Sequence, residues 1–308
     1  MKKNYYYFIY KLAAFIDKFR PSWSIKLYNR ILTACDSNKH CIPREEVLMD
    51  IACALDTIGR QEDALVTYQK VLDINENNAR AYYGMAIIYD DKKNYVQAIP
   101  LYEKAYHLDN YFESACFFLA NAYDEAGEKA LAAQYYERTS EINPHNFWAY
   151  NNVAAVYEDL GQYDKALNAI RKALAIEPGH YKALFNAGVI MNRLGYTNKA
   201  VDYYEKSISV NPDYSYCYLN SSLIFAEKGE YQRAVDILTQ GIKRCPSASF
   251  LYYNRACFFM HIGDAYRQAL CDLKKACSLC TELIEYMKRD SELDPLRSMK
   301  EYMITFGC

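Results

Sequence analysis

A small residue returns every 34 residues, seven times, at Ala52, Ala86, Ala120, Ala154, Gly188, Ser222 and Ala256. An alanine follows each of them twelve or thirteen places later, at Ala64, Ala98, Ala132, Ala166, Ala200, Ala234 and Ala269. Two helices approach closely only where neither carries a large side chain at the crossing. Small residues at a fixed period on facing helices therefore mark stacked helical hairpins.

Between the two small positions a glycine recurs at Gly59, Gly127, Gly161, Gly195, Gly229 and Gly263, with Lys93 standing in once. A residue tolerating positive φ there ends the first helix of each hairpin. Pro144, Pro178, Pro212 and Pro246 keep the same period after the second helices and separate one hairpin from the next. Tyrosines complete the pattern: Tyr82, Tyr150, Tyr218 and Tyr252 early in the first helix, Tyr89, Tyr123 and Tyr157 later in it, and Tyr68, Tyr102, Tyr136 and Tyr204 in the second. Across residues 45–279 this resembles the tetratricopeptide repeat family.

The resemblance implies an all-α fold, a right-handed α-solenoid of about seven tandem helix-turn-helix repeats with helical caps at both ends. The repeats are 45–78, 79–112, 113–146, 147–180, 181–214, 215–248 and 249–282. The first lacks the aromatic and the proline, and the seventh has one extra residue in the turn GDAYRQAL. A charged fraction of 24% with 52% hydrophobic residues suits a soluble all-helical chain. Each repeat of a solenoid contacts only its neighbours, so one elongated domain is expected, with its terminal hairpins capped.

Residues 283–308 are expected to be C-terminal capping helices. TELIEYMKRDSELDPLRSMKEYMITFGC reads as a helix followed by a short one, and its SELDPLRSMKEYMITF stretch resembles the acidic-Leu-Pro-Leu-Arg tail that closes many members of the family, which implies a structural role. Residues 1–44 read as basic, aromatic helices. SIKLYNRILTAC has the spacing of a second helix, with Tyr28 at the aromatic place and Ser24 at the alanine place, as in an incomplete eighth repeat. Before it, Tyr5, Phe8, Ile9, Leu12, Phe15, Ile16 and Phe19 make one apolar face at helical spacing.

That first segment is too short and too interrupted by Lys11 to span a bilayer, and no cleavage site follows it. Residues 1–44 hold nine Lys/Arg against two Asp/Glu, a net +7, leaving −9 for the remainder. Two readings stand: the apolar face caps the first repeat, or the basic aromatic helix contacts an anionic membrane or a partner.

Eleven cysteines, odd in number and unevenly spaced, fit a reducing cytoplasm and a cytoplasmic location, peripheral at a membrane if the N-terminal helix is an anchor. Cys277 and Cys280, with Cys271 and His261 nearby, have metal-like spacing but no matching second pair, so no metal or other cofactor is expected. His40, His107, His145, His180 and His261 share no repeat position, and no phosphate loop or nucleophile motif is present, so the chain reads as non-enzymatic. A net charge of −2 argues against nucleic acid as a partner.

Function is then expected on the concave face, which in the family is lined by the first helices. Counting Glu45 as position one, position six reads Asp50, Gly84, Phe118, Asn152, Asn186, Asn220 and Asn254. An amide both donates and accepts, so a row of four asparagines can grip the backbone of an extended peptide or can satisfy local polar groups. The row resembles the asparagine ladder of O-linked N-acetylglucosamine transferases. Asp90, Asp91, Asp124, Glu125, Glu158 and Asp159, with Asp56 and Glu227 beside them, form an acidic stripe, which is either a solvated surface or a site for a basic segment.

Aromatics at position two (Trp148, Tyr216, Phe250) and position five (Tyr83, Phe117, Phe185, Tyr253) are groove anchors or inter-repeat packing. A carboxylate clamp for chaperone tails is argued against, because Asn121 is the only asparagine at position nine and Phe117 holds its position five. The expected function is a protein-protein interaction scaffold binding an extended peptide or partner helix. A self-associating structural subunit and a regulatory partner of a separate enzyme are the alternatives.

Overall fold

The computed structural model describes residues 2–35, 42–263 and 265–306; His40 and Asp264 lie outside them. Among the described residues there are nineteen α-helices, one 3-10 turn and no strand. The first helices of the seven repeats are α3 (Arg44–Thr57), α5 (Ala79–Asp91), α7 (Glu113–Glu125), α9 (Phe147–Asp159), α11 (Tyr181–Arg193), α13 (Ser215–Glu227) and α15 (Ser249–Phe259). Their partners are α4 (Gln61–Ile74), α6 (Tyr95–Leu108), α8 (Lys129–Ile142), α10 (Tyr163–Ile176), α12 (Thr197–Val210), α14 (Tyr231–Arg244) and α16 (Tyr266–Leu279). The chain divides into two compact units, Met1–Ala149 and Tyr150–Cys308. The boundary falls inside α9, in the fourth repeat.

The periodic small residues sit where the period requires. All seven residues of the first set and all seven alanines of the second are buried. Positive φ occurs at Gly59, Gly127, Gly161, Gly195 and Gly229, and Lys93 takes φ 55° in the glycine's place. Gly263 does not adopt it. There α15 stops at Phe259, and the amides of Met260, His261 and Ile262 close 3-10-type bonds to Cys257, Phe258 and Phe259. The prolines begin beyond the second helices, after extended C-caps such as Asn143 and Asn211. In the second unit Tyr218 and Tyr252 donate their hydroxyls to the carbonyls of Pro212 and Pro246, at 3.0 and 3.3 Å, tying the first helix to the preceding turn.

In the first unit Glu45 accepts from the side chains of Asn75 (2.9 Å) and Asn78 (2.5 Å), and Glu113 from Asn143 (2.9 Å) and Asn146 (2.7 Å). The first residue of a repeat thus latches its last turn. The N-terminal segment forms α1 (Lys2–Asp17) and α2 (Pro21–Cys35), a further hairpin. Tyr28 and Ser24 are buried, as their repeat positions imply. Its turn lacks a left-handed residue; the amides of Phe19 and Arg20 both bond to the Ile16 carbonyl. The seven apolar residues that the spacing puts on one face are split in their burial. Ile9 is buried and Ile16 half-buried, while Tyr5, Phe8, Leu12, Phe15 and Phe19 are exposed.

The C-terminal segment, expected as one helix and a short one, is instead four short pieces: α17 (Leu283–Met287), η1 (Ser291–Leu293), α18 (Asp294–Arg297) and α19 (Lys300–Phe306). Extended backbone at Asp290 interrupts it. Leu293 of η1 and Leu296 of α18 are fully buried, in one cluster with Tyr253, Cys257 and Leu273 of the seventh repeat. Arg297 donates to the carbonyls of Met287 (3.1 Å) and Asp290 (2.8 Å), pinning the segment to itself.

Candidate functional site: the faces of the first helices

In the first unit, the faces of α3 and α5 enclose a cleft of about 380 Å³ lined by Met49, Cys53, Asp56, Tyr68, Arg80, Tyr83, Gly84 and Phe112. Gly84, at the asparagine position of the second repeat, is small for a packing reason: a Cβ there would lie 2.4 Å from the Tyr68 ring. Arg80, a position-two residue that the search for aromatics passes over, also lines a neighbouring cleft of about 360 Å³ with Tyr10, Glu46 and Asp50. Burial holds the Asp50 carboxyl above its usual range, only partly offset by the Tyr10 hydroxyl.

Three of the acidic residues bond to neighbouring side chains and three are exposed at the surface. Tyr102 donates to Asp90 at 3.0 Å, Lys129 pairs with Asp124 at 2.6 Å, and Arg193 pairs with Glu158 at 2.6 Å. Asp91, Glu125 and Asp159 are exposed. In the first unit the acids sense one another. Burial raises Asp90, and the charges of Asp91 and Glu125 raise it further; burial and then Asp91 raise Asp56.

The aromatics gather rather than stand apart. In the first unit Tyr83 packs on Phe112 (ring centroids 4.9 Å) and Phe118 (6.1 Å), and Phe117 on Tyr136 (5.8 Å), all partly covered except the buried Tyr136. Trp148 is exposed, edge-on to Phe147 at 5.1 Å. In the second unit Phe185 meets Tyr214 at 5.2 Å, Tyr214 meets Tyr216 at 5.7 Å, and Tyr216 stacks on Phe250 at 5.2 Å with planes 15° apart. Tyr216 is half open to solvent. Tyr253 is apart from this run: it is buried under the C-terminal segment, beside Tyr286, and donates its hydroxyl to Asp290.

The four asparagines are all half-buried, in different environments. Asn151, at position five and not singled out by the period, is buried. It donates to Asn152 and accepts from Asn186, both at 3.1 Å, so it joins two rungs into a trio. Asn254 donates to the Phe250 carbonyl of its own helix at 2.7 Å. Asn220, one turn beyond Tyr216, has no side-chain partner among the described residues. The signal that would have found Asn151 is the adjacent amide pair in the first helix of the fourth repeat.

The cysteines with metal-like spacing diverge, Cys277 donating to Met287 Sδ at 3.2 Å and Cys280 lying against Glu282. Cys257, Asp290 and Glu292 bring three potential ligand atoms within 4.8 Å, but Asp290 already accepts the Tyr253 hydroxyl. What the first-helix faces offer chemically is hydrogen bonding, aromatic surface and negative charge.

Residues 146–213 match the family model for the tetratricopeptide repeat, residues 58–92 that for the TPR repeat, and residues 91–173 that for anaphase-promoting complex, cyclosome, subunit 3. No curated protein matches the chain. Among solved structures, MamA is 28% identical with a TM-score of 0.51, over 55% of this chain and 92% of MamA. YrrB, described as a TPR protein with an unusual peptide-binding site, is 26% identical with a TM-score of 0.54, over 61% of this chain and 95% of YrrB. The Cut9-Hcn1 hetero-tetramer of APC/C shares the fold alone, at 15% identity and a TM-score of 0.58 over 90% of this chain and 52% of that one. With the 34-residue period, the left-handed turn residues and the buried small positions, the family-model matches identify the chain's hairpins as tetratricopeptide repeats.

Proposed function

We propose that the protein is a non-enzymatic interaction scaffold whose first-helix faces bind an extended peptide or a partner helix. The observation that carries this is Asn220: a half-buried amide without a partner among the described residues, beside the half-open Tyr216 and its stack on Phe250. An amide so placed grips a backbone amide, and the neighbouring rings anchor a side chain. The trio Asn151, Asn152 and Asn186 holds its own geometry and presents a polar edge. Asp91 and Glu125, exposed in the first unit, would by themselves favour Lys or Arg in a segment bound to that unit. The likeness to YrrB supports a peptide as the class of ligand.

The test is selection of binders from a displayed random peptide library by the intact chain, followed by titration of Asn220→Ala and Tyr216→Ala with the selected peptide. One lost amide contact weakens binding roughly two- to tenfold, and loss of the ring more. Unchanged affinity in both variants, with melting retained, would remove the assignment. A self-associating structural role is the second reading, favoured by Val66, Val96 and Leu131, which are exposed on second helices of the first unit. Mass that rises with concentration would support it.

A further inference from the structure

We propose that the outward face of the N-terminal hairpin docks the protein on the surface of an anionic phospholipid bilayer. Helix α1 carries two apolar faces. Its inner one, with Ile9 6% and Ala13 0% exposed and Tyr10 packed beside Tyr28, belongs to the core shared with α3 and α4. Its outer one runs Tyr5, Phe8, Leu12 and Phe15, at successive steps of three and four residues that keep them on one line of a helix, and Phe19 follows in the turn after it. Phe8, Phe15 and Phe19 are 63%, 65% and 72% exposed, and Trp23 extends the line onto α2. No described segment covers it, and an aromatic strip of this extent marks an interaction surface.

The charge around the strip selects the occupant. Asp17 is the sole acidic residue of 2–35, against seven Lys/Arg, and Asp17 already accepts the hydroxyl of the buried Ser24. Lys11, Lys18, Arg20 and Lys26 are exposed and make no ion pair among the described residues. The ammonium of Lys11 lies 5.4 Å from the centre of the Tyr7 ring and that of Lys26 5.7 Å from the centre of the Trp23 ring, so the cations sit among the exposed aromatics. No described helix is long and apolar enough to cross a membrane. A short helix with rings on one line and cations beside them lies in the plane of the interface, rings at the headgroup boundary and cations on the phosphates. A second copy of the chain is a poor occupant, because pairing two such faces would bring two unneutralised sets of cations together.

The test is sedimentation of the full chain with vesicles of equimolar phosphatidylserine and phosphatidylcholine, and with vesicles of phosphatidylcholine alone. Binding is expected to the first, to fall as salt is raised, and to be weak or absent with the second. Two variants change only exposed side chains: Phe15→Glu with Phe19→Glu, and Lys11→Glu with Lys18→Glu and Lys26→Glu. Each is expected to lower partitioning by roughly a hundredfold or more while the helical melt is retained. The charge variant keeps the test decisive should the aromatic one melt early. No binding of the intact chain to the anionic vesicles, equal binding to both vesicle types, or full binding by the charge variant would overturn the proposal. So would a concentration-dependent dimer abolished by the aromatic variant in a chain that ignores vesicles.

Discussion

A β-carbon added to Gly188 would lie 2.4 Å from the ring of Tyr204, the buried aromatic of the second helix in the same repeat. Glycine inside a helix is ordinarily about 1 kcal/mol worse than alanine, yet here the ring occupies the space a side chain would need. Gly188→Ala is therefore expected to destabilise by roughly 1–3 kcal/mol. Combining it with Tyr204→Leu should recover part of that loss, which chemical denaturation of the two single variants and the double variant will measure as a coupling energy.

Arg255 and Asp272 form a bidentate pair, both bonds 2.7 Å, nearly out of solvent, and Arg255 reaches on to Thr239 of the preceding repeat at 2.8 Å. Removing one member strands the other, so Asp272→Ala is expected to cost about 3–5 kcal/mol, whereas Arg255→Met with Asp272→Leu should come close to neutral. Because stability is local in repeat arrays, the loss should appear first in α15 and α16. Hydrogen exchange of those helices is the readout.

Asp90 bears on pH dependence. Burial raises its carboxyl above the unfolded value, with Asp91 and Glu125 adding to the effect and the Tyr102 hydroxyl opposing it. The folded state therefore binds the proton more tightly than the unfolded chain. Its contribution is most favourable below the ordinary carboxylate range and is lost as pH rises through the folded value. Asp90→Asn, which keeps an acceptor for Tyr102, should raise the melting temperature at neutral pH, with the advantage shrinking as the solution is acidified. Thermal melts of both proteins across that range will decide it.

Cys217 is buried and its thiol is pushed up to about 11, with Ser207 a weaker opposing influence. At pH 8 only about one part in a thousand is thiolate. Cys271 is exposed. Brief iodoacetamide treatment of the native chain should label Cys271 and spare Cys217, as read by peptide mass spectrometry, and equal labelling would mean the second unit opens readily.

The sequence by itself determined the hairpins. Period, small residues and turn glycines state local geometry, and each constraint acts between residues close in the chain, so Lys93 was readable as a left-handed residue from its neighbours' spacing alone. The tyrosines at the second-helix position keep the same period, and all four are buried. What only the tertiary structure decided are the matters that depend on which side chain arrives from another helix. Asn220 and Asn254 occupy one repeat position, yet one is bonded to its own helix and the other is open. Tyr253 shares its position with Phe185 but is sealed by a segment that follows the repeats. The apolar residues of α1 look equivalent by spacing, and only packing against its neighbours divides them into a buried line and an exposed one, because periodicity gives the direction of a side chain but not whether anything stands opposite it.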